Sequence, residues 1–248
     1  MKVKLGQNFL TDENIAKREV KYAKLNNEDS VLEIGPGKGF LTKFISKEVK
    51  KVTAIEYDKK LYDYLKKNVA NNVDLINGDA VDIDFNKINF NKILANLPFQ
   101  ISSPITFKIL KYNFDCAVLI YQLDFAKRMV ALPGSKDYSH LTVHLYYKAF
   151  CELLEIVSSK LFNPEPKVDA AIVKIIPIKR PPFEVKNENL FFNLSRLLFN
   201  YRRKMIKNIL KNNFKNLYLN NLPFLDKRVE ELSPEQIGLL SDIISEEV

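Results

Sequence analysis

The 248-residue sequence contains no tryptophan, only two cysteines and two histidines, and seven glycines. Cys116 and Cys151 stand far apart without histidine neighbours, which argues against a disulfide framework or a cysteine-based zinc site and leaves both as small hydrophobes for a core. His140 and His144 are four apart and would share a helix face, but the rest of a usual ligand set is missing around them, so no metal is expected. No stretch approaches the roughly 20 uninterrupted apolar residues of a membrane span, and the charged start has no apolar signal-peptide core. The expectation is a globular, cytoplasmic protein without a membrane partner.

What is present points to polyanions. The formal charge is +8 and the pI about 9.2, with 46% hydrophobic residues, enough for a sizeable core in one large domain or a domain with an appendage. Between Arg196 and Arg228 nine basic residues (Arg196, Arg202, Arg203, Lys204, Lys207, Lys211, Lys215, Lys227, Arg228) face one acid, Asp226.

From Ser30 onward, short β-branched runs alternate with helical patterns, the signature of βαβ units around a parallel sheet. Strands are expected at Val31 to Ile34, Val52 to Ile55, Val73 to Ile76, Lys92 to Ala95 and Ala117 to Tyr121. Helices are expected at Asp12 to Lys24 with Thr11 as a cap, and at Leu41 to Lys47, Lys59 to Asn71, Pro104 to Lys111 and Asp124 to Leu132. After Gly134, the stretches Leu141 to Phe150, Cys151 to Val157 and Ala170 to Pro177 read as a strand-rich close with two adjacent antiparallel strands. Pro177, Pro181 and Pro182 then mark a linker. On a single helical wheel, Leu190 to Phe214 groups Leu194, Leu198 and Tyr201 on one side and Arg196, Arg203, Lys207 and Lys211 on another. The expected division is therefore an α/β domain over residues 1–180 and a helical RNA-binding domain over 181–248.

Three of the seven glycines, Gly35, Gly37 and Gly39, fall within "VLEIGPGKGFLT", between a buried strand and a helix, where glycine permits close approach of a ligand. This is neither a G-x-G-x-x-G fingerprint, since Phe40 stands at its third glycine, nor a P-loop. Glu56 closes the next strand, where an acid can accept from both ribose hydroxyls of an adenosine. Asp79 follows the third in "INGDA" and can face an adenine amine, and Asn96 closes the fourth in "LANLPF". Four successive strand ends carrying Gly, acid, acid and Asn converge where open α/β sheets bind ligands, and the cofactor this pattern suggests is S-adenosylmethionine.

An exocyclic adenine amine is a poor nucleophile because its lone pair is delocalised into the ring. Two acceptors aimed at its hydrogens redirect that pair: the side-chain oxygen of Asn96 and a carbonyl at Leu97 or Pro98. Phe99 offers a face on which an extruded base can stack, an interaction worth about 1–3 kcal/mol.

Together, "LGQNFLTD", "VLEIGPGKGFLT", "AIEYD", "NGDA", "NLPFQISSPI", "RMVALPGSKDYSHLTV", "LFNPEPKVDAAIV" and "LFNYRRKMIKNIL" resemble, in family order, the small-subunit rRNA adenine N6,N6-dimethyltransferases (KsgA-type), closest in pattern to archaeal and eukaryotic members. The resemblance implies a Rossmann-like class I S-adenosylmethionine-dependent methyltransferase with a small α-helical C-terminal domain. It also implies dimethylation of two adjacent adenosines near the 3′ end of small-subunit rRNA in the assembling subunit, by a monomer. Cofactor contacts implied residue by residue are Asn8, Leu10, Gly35, Glu56, Asp79 and Asn96, with Gly37 in the same loop. Asn96, Pro98 and Phe99 would form the target-base motif, and Phe162 would stack on the other face. Phe99 replaces a more common Tyr, keeping the ring and losing a hydroxyl. The segment "KLGQNFLTDENI" would then cross the crevice over the cofactor, with Gln7 and Phe9 towards the target nucleotide. Competing readings are a large-subunit rRNA methylase of the antibiotic-resistance type, a non-catalytic ribosome-assembly factor, and a nicotinamide-dependent oxidoreductase, which the missing fingerprint disfavours.

Overall fold

The structure, a computed structural model, describes residues 8–214, 217–219 and 222–247; Gln7 and Lys215 lie outside them. It opens with a two-residue strand β1 (Phe9–Leu10) and helix α1 (Glu13–Ala23). There follow β2 (Ser30–Ile34), α2 (Thr42–Glu48), β3 (Lys51–Glu56), α3 (Lys59–Leu65), β4 (Val73–Asn77), β5 (Lys92–Asn96), α4 (Ser102–Ile109), β6 (Cys116–Gln122) and α5 (Leu123–Met129). Then come α6 (His140–Lys148), β7 (Ala149–Val157), β8 (Phe162–Asn163), β9 (Ala170–Pro177), α7 (Glu188–Asn200), α8 (Ile206–Asn213) and α9 (Pro234–Glu247).

The main sheet has seven strands in the order β4-β3-β2-β5-β6-β9-β7. β2 through β6 pair in parallel and β9 returns antiparallel to β6. The central strands read as continuous apolar runs because both faces are covered: Val31, Leu32, Ile93, Leu94, Val118 and Leu119 are all at most 1% exposed. Each such side chain contributes about 1.5–3 kcal/mol on leaving water. Since the five parallel strands point one way, their carboxyl ends share one edge of the sheet.

The chain divides into two compact units: residues 1–126 with 151–177, and residues 127–150 with 178–248. The first carries β1 through β6, β8 and β9; the second carries α6 to α9. The boundary after residue 177 lies beside the linker prolines, but residues 127–150 group with the helical unit rather than with the α/β domain. Their reason is apolar: Tyr138, Val143 and Tyr147 share a buried cluster with Phe191, Leu194 and Leu198.

Local structure departs from expectation at three further points. Leu141 to Phe150 is helical up to Lys148, not a strand: Leu141, Val143, Leu145 and Tyr147 alternate as in a strand, but Val143 and Tyr147, four apart on one helix face, join the buried cluster with Phe191 and Leu194, and Thr142 Oγ1 accepts the Ser139 N–H at 3.1 Å at the helix start. The helix at Lys59 stops at Leu65 rather than Asn71. The 190–214 wheel is broken into α7 and α8 by a turn at residues 201–205. There the Arg202 guanidinium bonds the Ser135 and Lys136 carbonyls at 2.8 and 2.5 Å and the Glu230 carboxylate at 2.6 Å, and Met205 bridges to Arg228.

Candidate active site

The site forms around the carboxyl ends of β2, β3, β4 and β5, which lead into Gly35, Glu56, Asp79 and Asn96. Gly35 and Gly37 have φ of +71° and +62°, angles that disfavour any side chain. A Cβ on Gly37 would also stand 2.8 Å from the Phe9 ring, and one on Gly35 3.3 Å from the Pro98 ring. The glycine loop is thus wedged between the N-terminal segment and the "NLPF" turn.

The N-terminal segment is held by a distant stretch of sequence. β1 pairs antiparallel with β8, placing Leu10 opposite Phe162 and Phe9 opposite Asn163. Asn8 Nδ2 donates to the Pro164 carbonyl at 2.6 Å, and both the amide and the hydroxyl of Thr11 donate to the Leu161 carbonyl at 2.9 Å. Thr11 is therefore a clamp and not the helix cap. The cap of α1 is Asp12, whose carboxylate accepts the Ile15 N–H at 2.9 Å.

Two hollows result. One of about 270 Å³ is bordered by Asn8, Leu10, Glu33, Gly35, Lys38 and Asn96. Beside it a hollow of about 10 Å³ is bordered by Asn8, Asn96, Pro98, Phe99 and Phe162. That second space is far smaller than a nucleobase, so a base held between both rings requires a shift of side chains. A larger open cleft of about 690 Å³ involves Lys51 and Val73 at the amino ends of β3 and β4 and Tyr62 of α3, away from the ligand edge of such sheets.

Of the residues expected at a cofactor, Asn8, Leu10, Gly35 and Asn96 come together around the first hollow. Gly37 adjoins them through Phe9. Glu56, 4% exposed, lies under the loop: its Oε2 accepts the Gly37 N–H at 3.0 Å and its Oε1 the Asp58 N–H at 2.8 Å. Burial raises its pKa although those two amides oppose the rise. Asp79 accepts the Val81 N–H at 2.8 Å. Neither Glu56 nor Asp79 borders the hollow itself.

Spacing alone does not point to Glu33 or Glu19. Glu33, on β2, is 1% exposed, borders the larger hollow, and has a carboxylate oxygen without a hydrogen-bond partner. Burial pushes its pKa up to about 8; the neighbouring Thr42 opposes this and the Glu56 charge adds to it. Glu19, on α1, is fully buried. With the Asn96 amide assigned so that its donor faces acceptors, Asn96 Nδ2 donates to Glu19 Oε1 at 2.8 Å and Oε2 at 3.2 Å. The available signal is Glu19's place on the stripe Ile15, Ala16, Glu19, Ala23, an acid where the helix period calls for an apolar residue.

In the second unit Arg196, Arg203, Lys204, Lys207 and Lys211 are all exposed. The turn between α7 and α8 carries Arg203 and Lys204, so these cations do not form one helix face. Arg202 is set apart by its three bonds to the surrounding fold.

A mixed sheet of this order, with a glycine loop, buried acids and an Asn-Leu-Pro-Phe turn at the ligand edge of its parallel strands, defines a Rossmann-like class I S-adenosylmethionine-dependent methyltransferase fold. The sequence profile described as "Ribosomal RNA adenine dimethylase" matches residues 1–246, and the chain belongs to that family. Relatives named "Probable ribosomal RNA small subunit methyltransferase A" are 45% identical in Thermococcus gammatolerans (94% of this chain, 85% of that one) and 43% in Methanococcus aeolicus (99% and 90%). Among solved structures, a dimethyladenosine transferase from Plasmodium falciparum superposes with a TM-score of 0.79 at 31% identity, covering 94% of this chain and 95% of that one. The 23S rRNA methyltransferase ErmE gives 0.73 at 26%, covering 96% and 100%.

Proposed function

We propose that the protein transfers methyl groups from S-adenosylmethionine to the N6 amines of two adjacent adenosines near the 3′ end of small-subunit rRNA, acting as a cytoplasmic monomer on the assembling subunit. The observation that carries this reading is Asn96. With Nδ2 bonded to Glu19, its Oδ1 is left for the hollow that Asn96 borders, where an acceptor is what an adenine amine needs. The second acceptor is a backbone carbonyl at Leu97 or Pro98; the Pro98 carbonyl already accepts the Ile101 N–H at 3.0 Å, which leaves the Leu97 carbonyl the freer of the two. Together they draw on the two amine hydrogens and turn the nitrogen lone pair outward.

The residues present fit the cofactor. Glu33 offers a buried carboxylate oxygen without a partner, and Gly35 and Gly37 leave room that a Cβ would fill. Glu33 would hold the cationic amino-acid part, and Glu56 the ribose through the remaining lone pairs of its oxygens. When bound, S-adenosylmethionine supplies an electrophilic methyl group on a sulfonium. The nearby buried carboxylates favour that positive charge, and Asn8 and Leu10 shield it from water. Relatives at 43–45% identity named for the small subunit favour that substrate over the large subunit named for ErmE.

The test is purified protein with labelled S-adenosylmethionine and unmethylated subunits. Wild type is expected to label small-subunit adenosines, and Asn96→Ala to lower the rate by about 100-fold or more, the usual cost of removing one such hydrogen-bonding group. Equal labelling by both proteins, or labelling of large subunits alone, would overturn the reading.

A further inference from the structure

We propose that Glu19 is a positioning residue for methyl transfer: its carboxylate, lying behind the end of β5, fixes the Asn96 amide with Nδ2 inward and Oδ1 towards the target amine. This rests on the reading of Asn96 given above.

An asparagine amide has nearly the same shape in its two flipped orientations, so packing alone does not choose between them. The choice falls to hydrogen bonds. Here the transfer depends on it, because a flipped Asn96 would point two N–H groups at an amine that needs an acceptor. The group that bonds the Asn96 side chain is Glu19, with both oxygens on Nδ2 at 2.8 and 3.2 Å. An ionised carboxylate accepts and cannot donate, so it permits one orientation only.

A glutamate is a costly way to fill this place. Its neighbours on the α1 stripe are Ile15, Ala16 and Ala23, all buried, and an apolar side chain would pack there without losing hydration. Among the described residues no cation is bonded to Glu19. Lys43 of α2 bonds Glu13, Lys174 of β9 bonds the Tyr22 carbonyl, and Tyr121 of β6 bonds Thr106. The titratable group acting on Glu19 is another acid, Glu33 of β2. A buried carboxylate without a counter-charge, bonded to the one side chain whose orientation matters, is explained by that orientation and not by stability.

Protonation would reverse the effect. A Glu19 hydroxyl donates, and it would draw Asn96 Oδ1 inward and present Nδ2 to the substrate. Burial, and then the Glu33 charge, hold the carboxyl well above its ordinary range against the opposing Asn96 bond, which moves this change upward in pH. Catalysis at saturating cofactor and subunit therefore rises with pH as Glu19 ionises.

The experiment compares wild type, Glu19→Leu, Glu19→Gln and Asn96→Ala for kcat, both KM values, cofactor affinity and melting temperature from pH 6.5 to 9. Glu19→Leu is expected to melt at or above the wild-type temperature and to bind cofactor within about a factor of two, while kcat falls about 10- to 100-fold. Glu19→Gln, which can accept from Nδ2 but has no proton to lose, should give an intermediate kcat that no longer varies with pH as wild type does. Wild-type kcat in Glu19→Leu beside an inactive Asn96→Ala would overturn the proposal. So would losses of kcat, cofactor affinity and melting temperature in proportion, which mark a merely structural residue. A fully active Asn96→Ala would instead sink the reading of Asn96 itself.

Discussion

With Glu33 holding the cofactor's positive charge as proposed, cofactor binding should depend on pH in a way that can be calculated. Its carboxyl is buried at the end of β2, borders the larger hollow, and titrates at about 8 instead of 4.5, chiefly because burial disfavours the charged form. In the ligand-free protein the sign is that of a raised acid. The fold's preference for neutral Glu33 contributes fully below pH 4.5 and is lost as pH rises towards 8, a difference of order 5 kcal/mol at 1.36 kcal/mol per pH unit. A cationic ligand has the opposite preference, because it gains most from the ionised carboxylate. At pH 7 only about a tenth of Glu33 is ionised, so binding carries a cost of about 1.4 kcal/mol that is nearly absent at pH 9, and affinity should rise about tenfold between them. Calorimetric titration of S-adenosylmethionine at each pH, in buffers of different ionisation enthalpy, reads both the affinity and the proton released. The cofactor's own amine also titrates, so the informative quantity is the difference from Glu33→Gln. That variant should bind more weakly at pH 9, lose the tenfold rise, and be more stable than wild type at pH 8 without ligand. Identical pH dependence in the two proteins would refute the assignment of Glu33 to the cofactor's positive charge.

Gly37→Ala should destabilise the protein by about 1–2 kcal/mol through the left-handed backbone alone and also displace Phe9, weakening cofactor binding; thermal melts and calorimetry would show this, and an unchanged affinity would free the loop of that role. Replacing Arg203, Lys207 and Lys211 together with Ala should weaken subunit binding and flatten its logarithmic salt slope by up to about 0.7–0.9 for each phosphate no longer neutralised, while an unaltered slope would move the RNA surface elsewhere.

The parallel core was legible because its strands are buried on both faces, and short β-branched runs separated by helical patterns leave little other arrangement. The glycine loop and Asn96 were legible for a related reason, since their positions at strand ends follow from the strands. What escaped depended on partners far away in sequence. Nothing near Thr11 announces the Leu161 carbonyl that takes its hydroxyl, and nothing near Arg202 announces Ser135, Lys136 and Glu230, which hold the turn that divides α7 from α8. Leu141 to Phe150 has aromatic and β-branched residues that suit a strand equally well, and the buried cluster with Phe191 and Leu194 decides for a helix. Glu19 was hidden because an acid in a helix is ordinarily a solvated one; only its phase with Ile15 and Ala23 set it apart.

The net charge of +8 suggests one electrostatic task, but the residues divide it in two. Arg203, Lys204, Lys207 and Lys211 are exposed, so their attraction for phosphates acts through solvent and is screened within about 8 Å at physiological salt. Glu33 and Glu56 near the strand ends, and Glu19 of α1 against Asn96, are buried where a cation feels them with little screening and where their own ionisation is costly. Salt should therefore separate the two. Raising it ought to weaken subunit binding steeply while leaving cofactor affinity nearly level, whereas pH should act most strongly on the cofactor and on the orientation of Asn96. A basic protein can in this way attract RNA over its surface and still hold a positively charged methyl donor inside, because the fields that serve the two ligands differ in range and in their exposure to water.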